Sequence, residues 1–183
     1  MVTTRHALAD SHDCRASAQK RQATFESPYH FVESGLPNVY LVGIDYYVCK
    51  KCGKQSADIP FVKDLMAKIA RAVVKQETPL DGTEIRFLRK RLGKKSAEFA
   101  KIIGVTPEHY SRLESPREDH NPSGSADKLI RVYYSLLSGD ETLKDTMNSN
   151  IEAYMASLHG EEQTSSFRAQ LHDHEWEAEA VLA

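Results

Sequence analysis

The chain has 183 residues, 40% of them hydrophobic and 27% charged, with a net charge near -2. That length supports one or two small domains; no apolar run approaches the ~18 to 20 residues needed to cross a bilayer, and Met1 to Asp10 lacks the apolar stretch of a secretory signal. Three cysteines, two of them in Cys49-Lys50-Lys51-Cys52, read as metal or thiol chemistry in a reducing cytoplasm rather than as a disulfide framework.

Residues 1–28 are polar without a clear period and are expected to be a disordered N-terminal segment. Residues 29–77 read as a small antiparallel β-ribbon domain with one helix. Tyr29, Phe31 and Glu33 alternate with His30 and Val32, Ser34 to Asn38 is a turn, and Val39 to Ile44 and Tyr46 to Val48 are β-branched and aromatic. The sheet ends at the cysteine pair. Pro60 is placed for the first position of a helix, and Phe61, Leu65, Ile69 and Val73, with Val62 and Met66, give it one apolar face.

Residues 78–140 carry the most demanding pattern: helices over Thr83 to Leu92, Ser96 to Ile103, Pro107 to Glu114 and Ala126 to Leu137. Ala100 and Gly104 lie four apart, where two helices approach closely and the chain then turns with a positive φ. Val105, Tyr110 and Leu113 can pack the next helix back, leaving Glu108, His109 and Arg112 outward. This is the spacing of a helix-turn-helix whose second helix enters a major groove. The last helix is apolar at Leu129, Ile130, Val132, Tyr133, Tyr134, Leu136 and Leu137, more than one core-facing stripe requires. Either a homodimer contact or a central core position accounts for the excess.

Residues 141–183 read as a C-terminal helix, with Leu143, Met147, Ile151, Tyr154, Met155 and Leu158 at helical spacing, followed by an acidic, solvated tail. The overall expectation is α+β. Charge is divided along the chain: Asp81 to Arg117 holds nine Lys/Arg and five Asp/Glu, a net +4, and Asp140 to Ala183 holds two against ten, a net -8. The near-neutral average therefore conceals a basic module.

That module suits a duplex, whose phosphates need positive charge and whose base edges need rigid donors. Arg86, Arg89, Lys90 and Arg91 on the first helix, and Lys94, Lys95 and Ser96 where the second begins, are candidate phosphate contacts. Thr106 can cap the recognition helix, with Pro107 at its first position. Arg112 is the best candidate for a bidentate guanine contact; His109 and Ser111 are weaker, and Glu108 can accept from a cytosine amino group or exclude other sequences.

Cys49-Lys50-Lys51-Cys52-Gly53 has the form of a zinc knuckle, and one knuckle gives two of the four ligands of a structural site. Cys14 and His12 are the candidates to complete it; the alternative is a metal-free ribbon with reduced thiols. A redox pair fits poorly, because the cysteines follow a hairpin rather than open a helix. His172-Asp173-His174-Glu175 lies in the acidic tail and reads as solvated. No phosphate-cradling glycine loop, nucleophile elbow or His-Glu-x-x-His is present, so an enzyme is not expected.

The order of parts, a Cys-x-x-Cys ending a small sheet, a helix from Ile59-Pro60 and a phage-repressor-like domain with Glu84-Ile85-Arg86-Phe87-Leu88-Arg89, resembles the MqsA-type antitoxins and related zinc-finger/helix-turn-helix regulators. The run from Tyr29 to Leu41 looks like the segment before the knuckle in such regulators. The resemblance covers about Tyr29 to Leu137. It implies a homodimer formed through the C-terminal domain, a palindromic double-stranded operator, autorepression, and a zinc-bound N-terminal domain that holds a toxin. The family's outward recognition positions fall on Glu108, where the family has asparagine, and on Arg112; its first cysteine pair falls on Cys14 and Ser17. The alternative from another class is a protein-interaction adaptor whose ribbon domain binds a partner and whose helical domain dimerises.

Overall fold

The computed structural model describes residues 18–115, 124–149, 152, 165–172 and 174–182. The fold is α+β: seven strands in two sheets and six α-helices among the described residues. Strands β1 (Ala18–Gln22), β2 (Tyr29–His30), β3 (Val39–Val42), β4 (Asp45–Cys49) and β5 (Gln55–Ala57) come first. Helices α1 (Val62–Lys75), α2 (Gly82–Arg91), α3 (Ser96–Ile102), α4 (Pro107–Leu113), α5 (Gly124–Leu137) and α6 (Glu141–Ser149) follow, and β6 (Ser165–His172) and β7 (Glu175–Leu182) close the chain.

The strands around the knuckle do not form one ribbon. One sheet runs β1-β4-β5, all antiparallel; the other runs β2-β3-β6-β7. The switch between them falls at Gly43, whose φ of +81° puts it in the left-handed region. Its N–H donates to the Ala23 carbonyl, and a Cβ there would stand 3.2 Å from the Leu171 carbonyl oxygen. Glycine is the residue that takes both the turn and the close approach. β1 lies inside the stretch expected to be disordered: Ala18 to Gln22 pair residue by residue with Cys49 to Asp45.

The larger correction concerns the C-terminus. Residues 165–172 and 174–182, expected as a solvated acidic tail, form the β6–β7 pair, and β6 adds parallel to β3 from Val39↔Phe167 to Val42↔Gln170. The reason is a period of two: Phe167 and Ala169 are buried and Leu171 half-buried, while Trp176 is buried between exposed Glu175 and Glu177. In register across the sheet, Tyr29, Leu41, Ala169 and Ala178 form one inward row, and α1 packs across β6 and β7. The Trp176 indole Nε1 donates to the Pro60 carbonyl at 3.0 Å.

α1 begins later than Pro60 suggests. Phe61 takes a left-handed conformation (φ 51°) before the first turn, so Phe61 and Val62 are exposed. Leu65, Ile69 and Val73 are buried as expected, with Met66 partly buried. In the expected C-terminal helix, Leu143 and Met147 are buried on α6; the positions from Ile151 to Leu158 that were read as its continuation lie outside the described residues, Glu152 apart. No helix among the described residues is long and apolar enough to cross a membrane.

Candidate nucleic-acid interface

Four short-range decisions set the geometry of α2, α3 and α4. Asp81 caps α2 in a reciprocal box: its carboxylate accepts from the Glu84 N–H at 2.8 Å, and Glu84 accepts from the Asp81 N–H at 2.9 Å. Gly93 (φ 65°) ends α2, with the Lys94 N–H reaching back to the Arg89 carbonyl. Gly104 (φ 74°) ends α3, with the Val105 N–H on the Ala100 carbonyl. Both are left-handed caps of the kind that satisfy the last carbonyls of a helix. Thr106 then caps α4, its hydroxyl accepting from the His109 N–H at 3.2 Å with Pro107 following.

Packing fixes which face of α4 looks out. Tyr110 and Leu113 are buried, and the Phe99 and Tyr110 rings lie 5.5 Å apart. Glu108, His109, Ser111 and Arg112 are exposed. The far end of α4 is pressed onto the start of α2. A Cβ on Gly82 would lie 2.4 Å from the Ser115 carbonyl oxygen and 2.8 Å from that of Leu113, so only glycine allows the contact.

The basic residues divide into two kinds. Arg89 is consumed inside the module: its guanidinium grips the buried Glu114 carboxylate through Nε and through Nη2 at 2.9 Å, and Nη1 donates to the Lys94 carbonyl at 2.7 Å. Its side chain is 12% exposed, so the expected phosphate contact becomes a brace between α2 and α4. Arg86 also reaches Glu114, donating to its carbonyl at 2.9 Å, but its side chain stays 46% exposed. Lys95 is exposed, and Lys94 and Ser96 are half-buried. The backbone N–H of Lys95 donates to Glu98 at 3.0 Å, closing the first turn of α3.

Glu108 stands at the mouth of α4. Hydrogen bonds to its own backbone amide and to the Thr106 hydroxyl hold its carboxyl below the ordinary range. It is therefore a carboxylate at physiological pH, occupying the N-terminal dipole that a phosphate would otherwise meet.

At the knuckle, the Gly53 N–H donates to the Cys49 carbonyl and the Cys49 N–H donates to the Lys54 carbonyl, both at 2.9 Å. Cys49 is buried at the end of β4 and Cys52 is exposed in the turn. This donor set fits half of a tetrahedral thiolate site. Among the described residues no group of three or more His, Cys, Asp or Glu is placed to hold a metal; Cys14 and His12 lie outside them.

Sequence reasoning missed three residues that hold these helices in place. Glu114 holds two arginines of α2, while Asp127 and Arg131 form a fully buried pair on α5. The signal for the second pair was present as opposite charges four apart inside an apolar helix. No family model matches the chain, and neither a curated protein nor a solved structure matches it.

Proposed function

We propose that the chain is a sequence-specific, double-stranded-DNA-binding transcription regulator acting as a repressor. The observation that carries this reading is α4: an N-terminus capped by Thr106 and Pro107, an inner face of Tyr110 and Leu113, and an outer face of Glu108, His109, Ser111 and Arg112. A short helix set on a glycine turn, with a rigid arginine on its outer face, suits a major groove. Arg86, Lys94 and Lys95 supply phosphate contacts around it. In its fuller form the proposal makes the chain a cytoplasmic antitoxin that represses its own operon at a palindromic site and holds a toxin through the sheet-bearing half. That form rests on the resemblance of Tyr29 to Leu137 to the MqsA-type regulators. Cys49 and Cys52, with Cys14 and His12, would hold a structural Zn²⁺ that braces the β1-β4-β5 sheet.

Dimerisation is part of the same proposal. Leu129, Leu136 and Leu137 on α5 are 41%, 47% and 53% exposed and mark the face that a second copy covers, while Val132 and Tyr133 pack on the chain's own core. That patch also favours the second reading, an adaptor that dimerises without touching DNA. Binding of the purified chain to its own promoter, measured across salt concentration, separates the two. A repressor gives a steep fall of log affinity with log salt, about 0.9 per phosphate contacted; a slope near zero sinks the repressor and leaves the adaptor.

A further inference from the structure

We propose that the outer edge of β7 is a docking site for a basic polypeptide segment, which adds to the sheet as a further strand. β7 is the last strand in the order β2-β3-β6-β7, and among the described residues the backbone hydrogen bonds that reach it come from β6 alone. One row of its N–H and C=O groups therefore faces outward. Native edges of this kind are blunted by proline, a bulge, short length, charged side chains or a covering element. Glu175–Leu182 has none of the first three: it contains no Pro, runs eight residues and pairs with β6 in unbroken register.

What the edge carries instead is charge of one sign. Glu175, Glu177 and Glu179 are all exposed and two residues apart, which spaces their carboxylates by ~7 Å along one face. The alternate residues, Trp176 and Ala178, turn toward the sheet's packed face, so the row cannot turn inward without exposing the tryptophan. Only Glu179 has an arginine opposite, Arg168; Glu177 faces Gln170 and Glu175 faces His172. Two copies pairing edge to edge would set glutamates against glutamates, and like charges directly opposite are destabilising. The same row accepts Lys or Arg at every second position of an incoming strand. The edge thus rejects a second copy of this chain and selects a basic partner. None of the DNA-facing residues takes part, so failure here leaves the DNA reading standing.

The test uses the full chain and an acetylated, amidated Lys-Val-Lys-Val-Lys-Val-Lys peptide, with the Glu-Val counterpart as control. Trp176, the chain's one tryptophan, sits in the strand and reports binding by its emission. The lysine peptide is expected to change that emission saturably, to slow amide exchange in β7, and to weaken as salt rises. The triple variant E175Q/E177Q/E179Q, changed only at exposed positions, keeps the free protein's emission and loses about tenfold in affinity. The proposal is overturned if the lysine peptide does not bind, if protection falls outside β7, or if the triple variant or the Glu-Val peptide binds as well.

Discussion

Arg131 and Asp127 meet one turn apart on α5, Nε to Oδ2 at 2.9 Å, with the arginine side chain fully buried and the aspartate nearly so. Neither is there for the other alone. Arg131 also donates to the carbonyls of Val74, Gln76 and Thr78, and Asp127 accepts from the Leu80 N–H at 2.8 Å. The segment joining α1 to α2 has few backbone partners of its own, and α5 provides them. Residues 76–81 are thus tied to α5 between the sheet-bearing half and helices α2 to α4.

Removing the guanidinium should be far costlier than weakening the carboxylate. Arg131→Met strands a buried carboxylate and three carbonyls, and a loss of ~3 to 5 kcal/mol is expected. Asp127→Asn keeps an acceptor for the Leu80 amide and should cost ~1 to 3 kcal/mol. Urea denaturation of both variants checks this; equal losses would assign the whole effect to the ion pair and none to the linker.

Glu84 makes stability depend on pH in the unusual direction. Burial pushes its carboxyl up to about 8, with Asp81 adding to the rise, against the lowering effect of the Asp81 amide, Gln76 and Arg131. Its folded value lies above its ordinary value of 4.5, so folding takes up a proton between those limits. The stabilisation is fully present below the unfolded value and is lost as pH rises through the folded one. Glu84→Gln, which keeps acceptors for Gln76 and the Asp81 amide, should flatten that decline. It is expected to be on the order of 1 to 3 kcal/mol more stable than the parent chain above pH 8, and nearer to it below pH 4.5. Denaturation midpoints across this range decide the matter, and parallel curves would place the titration on another group.

Two arginines of the α2–α4 module should separate stability from the DNA recognition proposed for it. Arg89→Ala leaves Glu114 buried without its bidentate partner, and a loss of ~2 to 4 kcal/mol in folding stability is expected. Arg112→Ala, on an exposed position, should change stability by no more than ~0.5 kcal/mol. Its cost should fall on DNA binding instead, ~1 to 3 kcal/mol concentrated at one base position. Thermal unfolding and binding to single-base operator variants check both. Uniform weakening across all sequences would make Arg112 a phosphate contact.

The helices of residues 82–113 were legible to within a residue or two from apolar spacing, Gly104, Thr106 and Pro107, while the Asp81–Glu84 box and Gly93 that bound α2 are local signals that went unread. Their inward residues followed from spacing. What a single arginine does was not legible, since Arg89 and Arg86 sit three apart on one helix and differ only in how deeply Glu114 draws each in. The C-terminal strands were written in the alternation of Glu with Trp and Ala, but net charge outweighed period in the reading. Strand pairing between Val39 and Phe167 is a contact across more than a hundred residues, and no local pattern announces it.

That long-range pairing can be weighed through Trp176. If the C-terminal strands belong to the core, Trp176 should contribute as a core residue does, although it lies in an acidic stretch. Its ring is fully buried and its Nε1 donates to Pro60, just before α1. Trp176→Ala removes both the buried surface and the hydrogen bond, and a loss of ~3 to 5 kcal/mol is expected. Trp176→Phe keeps most of the surface and gives up the donor, for ~1 to 3 kcal/mol. The difference between the two variants measures packing against α1, and the residual cost of the phenylalanine measures the anchor at Pro60. Denaturation followed by far-ultraviolet circular dichroism reads both without the tryptophan. A Trp176→Ala loss under ~1 kcal/mol would mean that β6 and β7 are an appendage to the sheet, and that α1 holds its place through α2 and α5 alone.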